Sequence, residues 1–244
     1  ALKTAIVTVV VGILIAYAAK WIVKSDNKAY ASSFQTAFRF NSYIGLAIAG
    51  RLHGEVGIAA FGIVIGVVVP LCNVASVWML AKHAEASIFK ELLQNPLIIA
   101  TVGGVMYSLS GLPLPEVAQM LISRMGAASL ACGLLAVGAA LTLVNVGTNA
   151  ALITYNTLIK LVVMPLVAIG MAKWLGVSGI YFDMVVLFGA LPTATSAYIL
   201  AVRMGGDGPV VAQGITVSTL FGMLSIPLWL SVGRQLWVVH IPIR

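Results

Sequence analysis

Polar residues in this chain are gathered into short intervals. Between them run charge-free stretches at 4–19, 56–81, 92–115, 125–159, 184–202 and 208–233. Most reach the ~20 apolar residues a helix needs to cross a hydrocarbon core. None shows the period-two alternation of a strand, and in lipid only helices or closed barrels satisfy the backbone. The pattern therefore predicts helices. Its breaks yield eight spans, roughly 3–22, 35–50, 56–80, 92–111, 118–143, 151–174, 183–203 and 209–232. The fold class is an all-α polytopic membrane protein.

Composition strengthens that reading. Hydrophobic residues make up 61% of the chain and charged ones 9%, against about a quarter charged in soluble domains. Mean hydropathy is +1.06. Trp21, Trp78, Trp174 and Trp229 fall near span ends, where amphipathic rings settle at the membrane interface. Gly103, Gly104, Gly126, Gly133 and Gly138 suit close helix packing. Cys72 and Cys132 lie in apolar runs and read as small buried hydrophobes. His53, His83 and His240 fall in loops or the tail and read as solvated.

The net charge of +7 lies mostly in loops, which makes anionic lipid head groups the expected surface partner. The chain lacks the basic runs of a nucleic-acid binder. One side carries Lys20, Lys24, Lys28, Arg39, Lys82, Lys90 and Arg203 and is assigned to the cytoplasm. The expected location is the cytoplasmic (inner) membrane. Catalytic groups, metal ligands and cofactors are not expected: the sequence has no nucleophile–base pair, phosphate loop or HExxH. No carboxylate occupies the centre of a span.

An internal repeat organises the spans. AAKWIVKS (18–25) is similar to MAKWLGVS (171–178), and AGRLHGEVG (49–57) to AVRMGGDGP (201–209). Arg51 matches Arg203, Gly54 matches Gly206, Glu55 matches Asp207, and Trp78 falls near Trp229, at a steady offset of 151 to 153 residues. Spans one to three thus correspond to spans six to eight. Five crossings separate each pair, so the halves are expected to run in opposite directions, as inverted repeats do. The fourth and fifth spans lack counterparts in the first half. Two further N-terminal helices are therefore expected, which makes this chain eight of ten.

The repeat sets GALPTATSAYILA (189–201) against AFRFNSYIGLAIA (37–49). Pro192 cannot donate to the helix ladder, and it pushes the residue before it out of helical geometry. The alternative is a simple kink whose hydroxyls bond back to their own helix. With polar residues at the symmetric position, breaks are expected near Leu191–Thr193 and Phe40–Ser42. Broken helices leave free N–H groups and a positive dipole end at membrane depth, where a small anion can rest. Asn41, Ser42, Pro192, Thr193, Thr195 and Ser196 are the candidate binding residues. Asn73 either makes an interhelical hydrogen bond or lines the cavity. Lys160 either snorkels toward the cytoplasmic end or supplies positive potential to the site. Arg39 faces head groups or an incoming anion.

In order and spacing, FRFNSYIGLAIA, QNPLIIATVGG, LACGLLAVGAAL, IKLVVMPLVAIG and GALPTATSAYILA resemble the auxin efflux carrier family in its bacterial branch. The resemblance implies a fold similar to bile-acid symporters and sodium/proton antiporters. That fold has two inverted five-helix repeats and two broken helices that cross near mid-membrane. It implies transport of a small organic anion, such as a carboxylate, by an elevator motion. Plant members have proline before the asparagine of the first crossover, where this chain has Phe40. The domains expected are the remainder of the first repeat (1–81), a cytoplasmic linker (82–91), the second repeat (92–232) and a tail (233–244). A sodium-coupled symporter and a non-transporting receptor stay open as alternatives, as does a homodimer.

Overall fold

The computed structural model describes residues 1–84, 93, 96–139 and 147–238, and every regular element there is a helix. Lys90, His240 and the side chain of His83 lie outside the described residues.

Helix α1 (Leu2–Ile22) runs without interruption. The next helix begins earlier than its hydropathy suggests. The Asp26 carboxylate accepts the backbone N–H groups of Lys28 and Ala29 at 2.9 and 3.3 Å. This cap starts α2 at Asn27–Ser33 rather than at residue 35. Helix α2 tightens into a 3-10 turn at Phe34–Ala37 and stops. Helical geometry resumes at α3 (Ser42–Ala84).

The expected loop at 51–55 is absent. Gly54, at φ 60° and ψ −146°, is the one non-helical residue within α3. The Phe61 ring packs on Gly45 and Ile58 packs on Gly50, so the chain doubles back at Gly54. Such a φ costs other L-residues roughly 1–2 kcal/mol, and glycine escapes the penalty.

Helix α4 (Pro96–Ser110) starts on its proline, and α5 (Glu116–Ala139) follows. Helix α6 (Ala150–Leu158) widens into a π turn at Ile159–Val163 and continues as α7 (Met164–Trp174). Helix α8 (Gly179–Ala190) ends before Pro192, residues 191–195 are not helical, and α9 (Ser196–Arg203) resumes. Helix α10 (Gly208–Val238) closes the described chain. Five helical stretches are long and apolar enough to cross a membrane. The number is below eight because two expected spans merge across Gly54, the seventh divides into α8 and α9, and the described part of the fourth has 15 residues.

Helix α8 is the central post. Every residue from Phe182 to Leu191 is buried, as in a helix that is apolar all round. It packs against α3, α7 and α10. By contrast, α5 buries only Gly133 and Val137. Of the glycines expected to pack closely, Gly133 does so, against Tyr43. Gly103, Gly104, Gly126 and Gly138 face open space because α4 and α5 have few described neighbours.

Three further expectations need correction. Cys132 is exposed, because it borders an open cavity rather than packing in the core. His53 is not simply solvated: its Nε2 lies 2.8 Å from Asp183 Oδ2, and Arg234 holds the same carboxylate at 2.7 and 3.2 Å. Trp229 is more than an interfacial ring. Its indole N–H donates to the Leu161 carbonyl at 2.7 Å, which satisfies an acceptor in the π turn.

Candidate functional site

The two interruptions meet. Asn41 N–H donates to the Pro192 carbonyl at 2.9 Å, and the Thr193 hydroxyl donates to the Thr36 carbonyl at 2.7 Å. Gln35 Nε2 reaches the Ala197 carbonyl at 3.1 Å. Backbone groups freed by each break are thus satisfied by the other, which the membrane interior requires. Thr193 N–H adds a bond to Ser218 of α10 at 3.2 Å, and Pro192 packs on Gly222 of the same helix.

The first break has no proline, and aromatic packing takes its place. Phe40 is buried, with its ring centroid 4.8 Å from Phe188 and 6.4 Å from Phe61, nearly perpendicular to both. Such edge contacts contribute about 0.5–1.5 kcal/mol each beyond burial.

Arg39 sits in this break at 4% exposure. Its Nη2 donates to Ser196 Oγ at 2.8 Å and its Nη1 to Gln35 Oε1 at 3.2 Å. A guanidinium has five N–H donors in a planar fork, and two protein partners leave donors for a planar anion. Arg39 borders a cavity of about 500 Å³ together with Tyr43, Thr195, Ser196 and Arg203, closed on the far side by Ser129, Cys132 and Gly133 of α5.

Of the remaining candidates, two line this cavity. Thr195 and Ser196 line it; Pro192, Thr193 and Asn41 lie behind it in the contact between the breaks. Asn41 Oδ1 accepts Ile44 N–H at 3.2 Å and so caps the start of α3, while its buried Nδ2 has no partner. Ser42 is the first residue of α3 and half-buried. Asn73 is buried and its Nδ2 has no partner among the described residues. Lys160 is wholly buried in the π turn and does not snorkel.

Sequence reasoning missed Gln35, Thr36, Tyr43, Ser129 and Cys132. A signal existed for the α5 wall: Ser129, Cys132, Gly133 and Ala136 recur at one-face helical spacing. Nothing local announces Gln35 and Thr36, whose partners lie 162 and 157 residues away.

Residues 79–230 match the family described as membrane transport protein. The chain is 24% identical over 206 residues to an uncharacterized transporter of Methanothermobacter thermautotrophicus, a match covering 84% of this chain and 68% of that protein. It is 26% identical over 206 residues to the uncharacterized transporter YfdV of Escherichia coli, covering 79% of this chain and 64% of the relative. The chain thus spans about two thirds of the length of these curated relatives.

Proposed function

Since the chain belongs to the membrane transport protein family, the auxin efflux carrier family its motifs resemble, we propose that it moves a small carboxylate across the cytoplasmic membrane by alternating access. The two interrupted helices are read as the arms of a crossover between inverted repeats. The body around α8 is read as the moving part, and α4 with α5 as the wall it slides along. The small residues of α5 at the cavity suit such a sliding face.

The observation that carries this reading is Arg39. It is a buried guanidinium fixed by one side chain from each arm, with spare donors, beside a cavity lined by three more hydroxyls, those of Tyr43, Ser129 and Thr195. A carboxylate matches such a fork in two parallel hydrogen bonds. No carboxylate of the chain pairs with Arg39 among the described residues, so the ligand supplies the countercharge. Thr195 and Ser196 then hold the anion in register.

The test is uptake of radiolabelled acetate, malonate and succinate by full-length protein in proteoliposomes. Saturable uptake of at least one is expected, and R39Q should lower it by about tenfold or more, the effect of one charged hydrogen bond. Wild-type uptake in R39Q would sink the assignment. Strict sodium dependence would redirect it to a symporter of the bile-acid type.

A further inference from the structure

On the side whose basic loops assign it to the cytoplasm, the ends of α1 and α3 meet in a cluster that the carboxylate site does not use. Tyr17 sits between two tryptophans. Its ring centroid lies 5.4 Å from that of Trp21, at 74°, and 6.2 Å from that of Trp78, at 38°. The Tyr17 carbonyl accepts the Tyr30 hydroxyl at 3.0 Å, which ties α2 to the same place. Trp21 is 71% exposed and Trp78 38%. Lys82 Nζ stands 5.4 Å from the centroid of the Trp78 ring. Lys20 precedes Trp21 and Lys24 follows it by three residues; all three lysines are exposed. Ile22 and Lys82 end two of the stretches able to cross a membrane, so the cluster falls at an interface.

Three ammonium groups gather here without a countercharge. Among the described residues none of them pairs with a carboxylate. In the segments 17–30 and 78–84 the one acid is Asp26, and its carboxylate is occupied in capping α2. A helix C-terminus favours a basic residue in its last turn, which accounts for Lys20 but not for three converging rings. An interfacial belt accounts for single tryptophans, and Trp174, 78% exposed at the end of α7, fits that description. At the end of α1 rings and ammonium groups are interleaved instead. The rings offer an apolar face at the depth of a lipid's glycerol, and flexible lysine stems carry positive charge to the level of its phosphate. Lys82 keeps donors beyond its contact with the Trp78 face, since an ammonium has three.

We propose that Tyr17, Trp21, Trp78, Lys20, Lys24 and Lys82 form a binding site for one anionic phospholipid of the cytoplasmic leaflet. The three lysines hold the headgroup phosphate. Trp21 and Trp78 flank the glycerol and the first methylenes, and Tyr17 backs both rings. The charge selects an anionic lipid over a zwitterionic one, and the rings select a lipid over a soluble phosphate. The lipid bridges the ends of α1 and α3, so its binding stabilises the fold. The site is independent of Arg39 and of the carboxylate reading.

Native mass spectrometry of full-length protein in a mild non-ionic detergent, titrated with dioleoylphosphatidylglycerol or with dioleoylphosphatidylcholine, reads the affinity for each lipid. The first phosphatidylglycerol should bind at least about fivefold tighter than the first phosphatidylcholine, the effect of one lysine close to an anionic surface. It should also raise the midpoint of thermal unfolding. K20Q/K24Q/K82Q should bring the two lipids to equal affinity, and K20R/K24R/K82R should keep the preference. W21A/W78A should weaken the binding of both lipids. Lys3 and Lys173 stand at the opposite end of α1 and beside it, and K3Q/K173Q should change nothing. Equal affinity of the wild type for the two lipids overturns the site. A preference lost as fully in K3Q/K173Q overturns it too, since the effect is then one of overall charge. Displacement of the lipid by glycerol 3-phosphate overturns the lipid in favour of a soluble phosphate.

Discussion

Most polar side chains at the crossing are engaged with the protein before any ligand arrives. Thr193 illustrates this: its hydroxyl serves the Thr36 carbonyl and its N–H serves Ser218. T193V keeps the shape and removes the donor, leaving a buried carbonyl unpaired, and should lower stability by about 1–3 kcal/mol in unfolding measured in detergent. D183N should also destabilise, because it removes the charge that both His53 and Arg234 approach. Its effect should be smaller at high salt, since Arg234 is about half exposed. The sequence identified Pro192 because a proline announces its effect within one turn. It did not identify the His53–Asp183 pair, whose members stand 130 residues apart, nor the capping use of Asn41, which depends on where α3 begins.

Helices were found by their apolar runs, but their ends were not. Hydropathy cannot see a cap, so Asp26 extends the second helix backwards through a polar stretch. Nor can it see a reversal made by one residue, and Gly54 replaces a whole loop. G54A should therefore cost roughly 1–2 kcal/mol for the left-handed φ, read as a lower midpoint of thermal unfolding. The π turn is a similar case. Its extra width needs a donor for a carbonyl, and Trp229 supplies it from α10. W229F should lose about 0.5–1.5 kcal/mol of stability and loosen residues 159–163, seen as faster amide exchange there.

On the scale of the whole molecule, one body built around α8 faces a thin wall made by α5, and the cavity lies between them. Cys132 stands on that wall and is exposed, whereas Cys72 is buried in the body. A maleimide should therefore label Cys132 and block carboxylate uptake, substrate should slow the labelling, and C132A should transport normally after treatment. Equal block in C132A would count against the cavity as the path. The contact between the breaks also bears on how the chain is made. Residues 38–41 leave the ribosome about 150 residues ahead of Pro192 and Thr193, and until then the Thr36 carbonyl and the Asn41 amide have no partner in the bilayer. The first arm must wait for the second during biogenesis. A nascent chain halted before Pro192 is thus expected to stay beside the insertion machinery, and one released after Thr193 to leave it.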